Sequence, residues 1–87
     1  MSRDDRLKRF VQGSLRAEKA RRGLTFEQLS RALAEQGIRQ SATNLSTKVG
    51  RGDMSARLFL ALMKVLGCQR IDLRELDIRQ AGTPPRK

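Results

Sequence analysis

Residues 37–52 read GIRQSATNLSTKVGRG. Glycines bound the stretch, Leu45 and Val49 stand four apart, and Thr43, Asn44, Ser46, Thr47 and Lys48 surround them. Four residues make about one turn of α-helix, so the two aliphatic side chains share a face and the polar ones occupy the rest. Ser41 precedes the run as an N-cap, its hydroxyl placed to accept from a first-turn amide. Gly50 and Gly52 are expected to end the helix in a turn. The stretch therefore predicts a short helix over 42–49, with Thr43, Asn44, Thr47 and Lys48 toward solvent or on its flanks. Thr, Asn and Ser are mediocre helix formers, and a helix serving stability alone would favour Ala, Glu or Lys. Such a face suits contact with a partner.

The same punctuation continues on both sides. Over 5–22, Leu7, Phe10, Val11, Leu15 and Ala17 recur at helical steps and predict one buried stripe, ended by Gly23. Gly13 lies inside this helix and weakens it by about 1 kcal/mol relative to Ala, which makes residues 1–11 a basic helical arm. Thr25 and Gln28 have the spacing of a capping box that opens a second helix, with Phe26, Leu29, Ala32 and Leu33 inward and Gly37 as its stop. Ser55 caps a fourth helix, ARLFLALMKVL at 56–66, whose Phe59, Leu62, Met63 and Leu66 form a continuous apolar side. After Gly67 two patterns compete. Ile71 and Leu73 alternate with charged residues as in a short strand, whereas Asp72 and Glu75 suit a capped helix; the segment 68–79 is read as partly extended. Residues 80–87, rich in Gly and Pro, are expected to be disordered. The fold class is all-α, a compact four- or five-helix bundle with residues 12–67 as its helix-turn-helix domain.

Composition restricts the chemistry. Eighty-seven residues suffice for one small domain, which buries roughly 60% of its unfolded surface. Nineteen Lys and Arg face nine acids, a formal charge of +10 that attracts polyanions. The chain has no His, which removes imidazole catalysis and the common zinc sites, and it has neither a phosphate-loop nor a dinucleotide glycine motif. The carboxylates form no acid/base dyad. No enzyme activity, cofactor, metal or small-molecule ligand is expected. Cys68 has no cysteine partner and reads as a small half-buried hydrophobe. No apolar run approaches the 18 or so residues of a membrane span, and no apolar segment follows the charged N-terminus; a cytoplasmic, nucleoid-associated protein is expected.

A resemblance sharpens this reading. LRAEKARRGLTFEQLS, residues 15–30, resembles the first helix, Gly-Leu-Thr junction and second helix of the Cro/C1-type (XRE-type) DNA-binding domains. Ile38, Leu45 and Ser46, with Arg51 and Gly52, resemble that family's turn and recognition helix more loosely, and the likeness covers about residues 12–67. The run NLSTKVGRGDMSARLFLALMKVLGC is similar to an uncharacterised group of short bacterial proteins with a longer turn. Three departures stand out. Phe26 occupies the place of a glutamine that contacts DNA phosphate in the Cro/C1 family. The segment from Leu29 to Leu45 is longer than usual, so 34–40 either extends the second helix or makes a wider turn. The acidic residue common at the end of the recognition helix is missing.

The resemblance implies duplex DNA as partner, bound by a transcriptional regulator of bacterial or phage type that acts as a homodimer. At the start of a recognition helix, Asn pairs bidentately with adenine and Thr meets a thymine methyl, which makes Thr43, Asn44 and Thr47 the candidate base readers. Arg16, Lys19, Arg39, Lys48 and Arg51 are the candidate phosphate contacts. Simple solvation explains such cations equally well, and a helix C-terminus favours Arg21 and Arg22. A single-strand RNA binder would need aromatic platforms, yet Phe10, Phe26 and Phe59 all fall at core positions and Tyr and Trp are absent. The alternative reading is a protein-interaction module, adaptor or antitoxin-like, that uses this fold without reading bases.

Overall fold

Each α-helix begins on a hydroxyl. In the computed structural model, which describes residues 2–76, the backbone amide of Asp5 donates to Ser2, that of Gln28 to Thr25, that of Asn44 to Ser41 and that of Leu58 to Ser55. These caps open α1 (Arg3–Arg22), α2 (Phe26–Glu35), α3 (Ala42–Arg51) and α4 (Ala56–Val65). Each satisfies an amide that the first turn leaves without a partner, worth about 1 kcal/mol. At Thr25 the box is reciprocal, because its own amide donates to Gln28 Oε1 at 2.8 Å.

The helices close on a core of Leu15, Leu29, Leu33, Leu45, Val49, Leu58, Leu62, Met63 and Leu66. Val11, Phe26, Ile38, Met54, Phe59 and Ile71 pack around it, half-buried. Both α3 and α4 lie across α1 and α2, so those two helices bridge α3 to α4. The charge buried among the described residues is Glu18, which Arg21 pairs on the next turn.

Several expectations change. The stripe on α1 is only partly used: Leu15 is buried and Val11 half-buried, but Leu7 and Ala17 are exposed. At 20 residues α1 is twice the length of each other helix, about 30 Å against 15 Å, so its first turns overrun the layer beneath. Phe10 sits half-buried in a surface groove with Met63 and Ile71. The helix nonetheless runs unbroken through Gly13. Leu58 is buried in α4 where sequence periodicity placed only its neighbours.

Gly50 does not end α3; the helix continues to Arg51 and Gly52 is its cap, at φ 63°. Two contacts with α1 explain this. Gln12 Nε2 donates to the Gly50 carbonyl at 2.6 Å, satisfying one of the carbonyls that a helix end leaves open. Gly52 is buried against α1, and a Cβ there would stand 2.1 Å from the Lys8 carbonyl oxygen. Only glycine meets both demands.

At the opposite end of α1, Arg22 donates to the Gly67 carbonyl at 3.2 Å. The chain then returns along α1 and α4, with Ile71 on the core. The expected extended segment forms no strand within the described residues. A single 3-10 turn, Leu73–Glu75, takes its place, because Asp72 accepts from both the amide and the guanidinium of Arg74. The same guanidinium holds the Asp72 carboxyl below its ordinary range. The tail predicted at 80–87 lies outside the described residues.

Two glycines give opposite predictions. Gly13 has open space where a Cβ would go, so Gly13→Ala should raise stability by about 0.5–1 kcal/mol. Gly52→Ala should lower it by more than the ~1–2 kcal/mol of a left-handed backbone alone, since the methyl also meets Lys8. Urea denaturation followed by circular dichroism checks both; equal midpoints would mean that α1 does not rest on this cap.

Candidate nucleic-acid interface

With Leu45 and Val49 at 0% and 3% exposure, the register of α3 is fixed and its opposite side is open. Thr43, Asn44, Ser46, Thr47 and Arg51 are all exposed, and Ala42 and Lys48 mark the half-buried flanks. The Ser41 hydroxyl is occupied as a cap, and Asn44 serves it through its backbone amide at 3.0 Å. The side chains of Thr43, Asn44 and Thr47 have no hydrogen-bond partner among the described residues. They are free to meet a ligand.

One flank belongs to α1 and the start of α2. A small hollow of about 180 Å³ is lined by Arg16, Lys19, Phe26, Ser46 and Gly50. Lys19 Nζ stands 4.5 Å above the Phe26 ring, a cation–π contact. Phe26 thus seats an ammonium from α1 beside α3. Next to this hollow, Thr25, Phe26 and Glu27 form an open cleft with Thr43, Ser46 and Thr47. Glu27 is an acid on this flank, and a carboxylate can accept a hydrogen bond from a ligand's amino group while repelling an anion.

The other flank is the turn. α2 stops at Glu35, Gly37 takes φ 80°, and residues 36–41 make the wider of the two connections the sequence allowed. Gln40 is fixed twice: its carbonyl accepts from Ser30 Oγ at 2.6 Å, and its Oε1 accepts from Lys48 Nζ at 3.3 Å. Lys48 therefore braces the turn. Arg39 is exposed on the turn and Arg51 at the end of α3, neither in a salt bridge with a described residue. Of the five candidate phosphate contacts, Arg16 and Lys19 come together on one flank, Arg39 and Lys48 border the turn, and Arg51 closes the far end.

Ser46 and Glu27 complete this surface without having been picked out as base or phosphate contacts. Ser46 lies on the flank that the Leu45–Val49 spacing alone leaves ambiguous, and Glu27 reads in sequence only as a first-turn acid favoured by the helix dipole. Among the described residues, no group of three or more His, Cys, Asp or Glu side chains is arranged to hold a metal ion, and no helix is long and apolar enough to cross a membrane.

The class defined by this geometry is a four-helix domain whose third helix shows a small, polar face bordered by cations. The chain belongs to the family described as a domain of unknown function (DUF6471), whose model matches residues 8–71. That span begins at the residue whose carbonyl meets Gly52 and ends at Ile71, which packs on the core. No curated protein and no solved structure matches the chain.

The register of α3 is testable by stability. Leu45→Ala should cost ~2–5 kcal/mol through lost burial and a cavity, whereas Thr43→Ala and Thr47→Ala should stay within about 0.5 kcal/mol. Thermal melts of the three variants check this, and an unchanged Leu45→Ala would turn the helix by a position.

Proposed function

We propose that this domain binds duplex DNA in a sequence-specific way by laying α3 in the major groove, as a transcriptional regulator acting at the nucleoid. The observation that carries the reading is the free outer face of α3, Thr43, Asn44 and Thr47, set between cations on both flanks. An α-helix fits the major groove, where an Asn amide matches adenine and a Thr methyl matches thymine. Arg16 and Lys19 on one side, Arg39 and Lys48 on the other and Arg51 at the end then reach the phosphates that border the groove. The resemblance of residues 15–30 to Cro/C1-type domains supports the same docking. The excess of ten positive charges adds attraction at long range.

A second reading, a protein-interaction module, is favoured by Glu27 in the cleft beside Thr43 and Thr47. A carboxylate there would suit a basic or hydroxyl-bearing protein surface. The two readings differ in how affinity responds to salt and to base sequence.

Binding measured by fluorescence anisotropy, on a duplex selected from a random pool and on a scrambled one, separates them. With five phosphate contacts, log affinity should fall against log salt with a slope of about −4 to −5. Arg39→Ala and Arg51→Ala should weaken both duplexes alike and reduce the slope by about one each. Asn44→Ala should cost ~1–3 kcal/mol on the selected duplex and far less on the scrambled one. A flat salt response, or equal losses on both duplexes for Asn44→Ala, would leave the interaction module as the better account.

A further inference from the structure

Between α1, α4 and the C-terminal turn lies a groove of about 400 Å³, the size of a small-molecule site. Phe10, Met63 and Ile71 give it an apolar lining. Two features of its wall are left unexplained by packing. The first is Glu18, which lines the groove and is only 9% exposed. Its Oε2 pairs with Arg21, whereas its Oε1 is buried without a hydrogen-bond partner. A buried carboxylate oxygen without a donor is costly, and one that is retained marks a place where a bound molecule supplies the donor. The second is Gly13, in the middle of α1, which lines the same groove. Its backbone is helical, and nothing stands within 4 Å of the place a Cβ would take. No neighbour requires glycine there, and it weakens the helix relative to Ala. Its missing side chain leaves room in the groove.

We infer that this groove binds a small zwitterion with an apolar body, the chemistry of an aliphatic or aromatic α-amino acid. The ammonium, which only donates, meets the open acceptor of Glu18. The carboxylate goes to Arg9 and Arg70, which are exposed, line the groove and make no salt bridge with a described residue. The apolar body lies on Phe10, Met63 and Ile71, in the room left at Gly13. Charge of both signs selects this class of ligand. Asp72 and Glu75 also line the groove. With Arg21 on Glu18 and Arg74 on Asp72, the lining charges left without a salt bridge to a described residue are Arg9, Arg70 and Glu75. A purely cationic ligand would meet the two arginines, and a purely anionic one would meet Glu75 and give Glu18 no donor. A zwitterion answers both.

Rotation about the terminal torsion of Glu18, which is soft for a carboxylate, presents its oxygens to the groove. The residues of α1 that meet α3 are Lys8, Gln12, Arg16 and Lys19, and none of them lines this groove. The inference therefore does not depend on what α3 binds. Periodicity within one helix conceals such a site, because its walls come from α1, α4 and the C-terminal turn together.

An amide chemical-shift titration of the full chain with phenylalanine and with leucine, each as the free amino acid at millimolar concentration, tests the inference. Saturable changes are expected at the groove residues of α1, at Met63 and at Arg70 and Ile71. Phenylalaninamide, which lacks the carboxylate, and N-acetylphenylalanine, which lacks the ammonium, should each bind about tenfold more weakly, the scale of one lost charge-assisted hydrogen bond. Arg70→Gln should weaken the binding of phenylalanine and leave that of phenylalaninamide unchanged. Glu18→Gln should weaken the binding of phenylalanine and leave that of N-acetylphenylalanine unchanged. Gly13→Leu fills the groove from an exposed helical position, so it should keep the helices, as read by circular dichroism, and abolish binding. Should Glu18→Gln fail to fold, Gly13→Leu and the two modified ligands decide. No saturable change with either amino acid, changes centred on α3, a modified ligand that binds as tightly as phenylalanine, or a Gly13→Leu variant that binds like the wild type would overturn the inference.

Discussion

The fold rests on the place where the cap of α3 meets the backbone of α1. Gly52 has a left-handed backbone and lies so close to the Lys8 carbonyl that no side chain fits between them. Gln12 adds a hydrogen bond to Gly50 one turn along. Together these contacts fix how α3 is turned as well as where it lies. With its C-terminal end held on α1 and Leu45 and Val49 sunk in the core, α3 has one face left for solvent, and that face holds Thr43, Asn44 and Thr47. The G-R-G sequence is therefore an interhelical contact in which one glycine ends the helix and the other continues it.

The polar surface follows from that placement. Lys19, in the last turn of α1, borders α3 directly, and the Phe26 ring at the start of α2 receives its ammonium. Lys48 is drawn toward the turn by Gln40, which Ser30 also holds. Each tie limits the freedom of a long side chain before any ligand arrives, which lowers the entropy lost on binding. On the proposed reading, Arg16, Lys19, Arg39, Lys48 and Arg51 orient the duplex and the small residues of α3 discriminate among its bases.

Local chemistry made much of this legible in the sequence. Each of the caps Thr25, Ser41 and Ser55 acts on an amide three residues away, and a four-residue step is enough to pair Leu45 with Val49. The exposure of Thr43, Asn44 and Thr47 follows from that step. Contacts between distant parts of the chain left no such pattern: Gln12 with Gly50, Gly52 with Lys8, Lys19 with Phe26, Arg22 with Gly67. Gly50 consequently looked like a terminator, and Leu7 like a core residue, since periodicity carries no information on how far a helix overruns its neighbours. The alternation of Ile71 and Leu73 suggested a strand, but Asp72 binding Arg74 curls the chain first. Ser46 and Glu27 join the surface through the packing of α2 on α3, which no single helix reveals.

An amide chemical-shift titration of the full chain with a duplex selected from a random pool tests the central claim most directly. The account predicts the largest changes at residues 42–51 and at Arg16 and Lys19, with α4 unaffected. Changes centred on α4 and residues 68–76, or spread evenly over every cationic part of the surface, would contradict it.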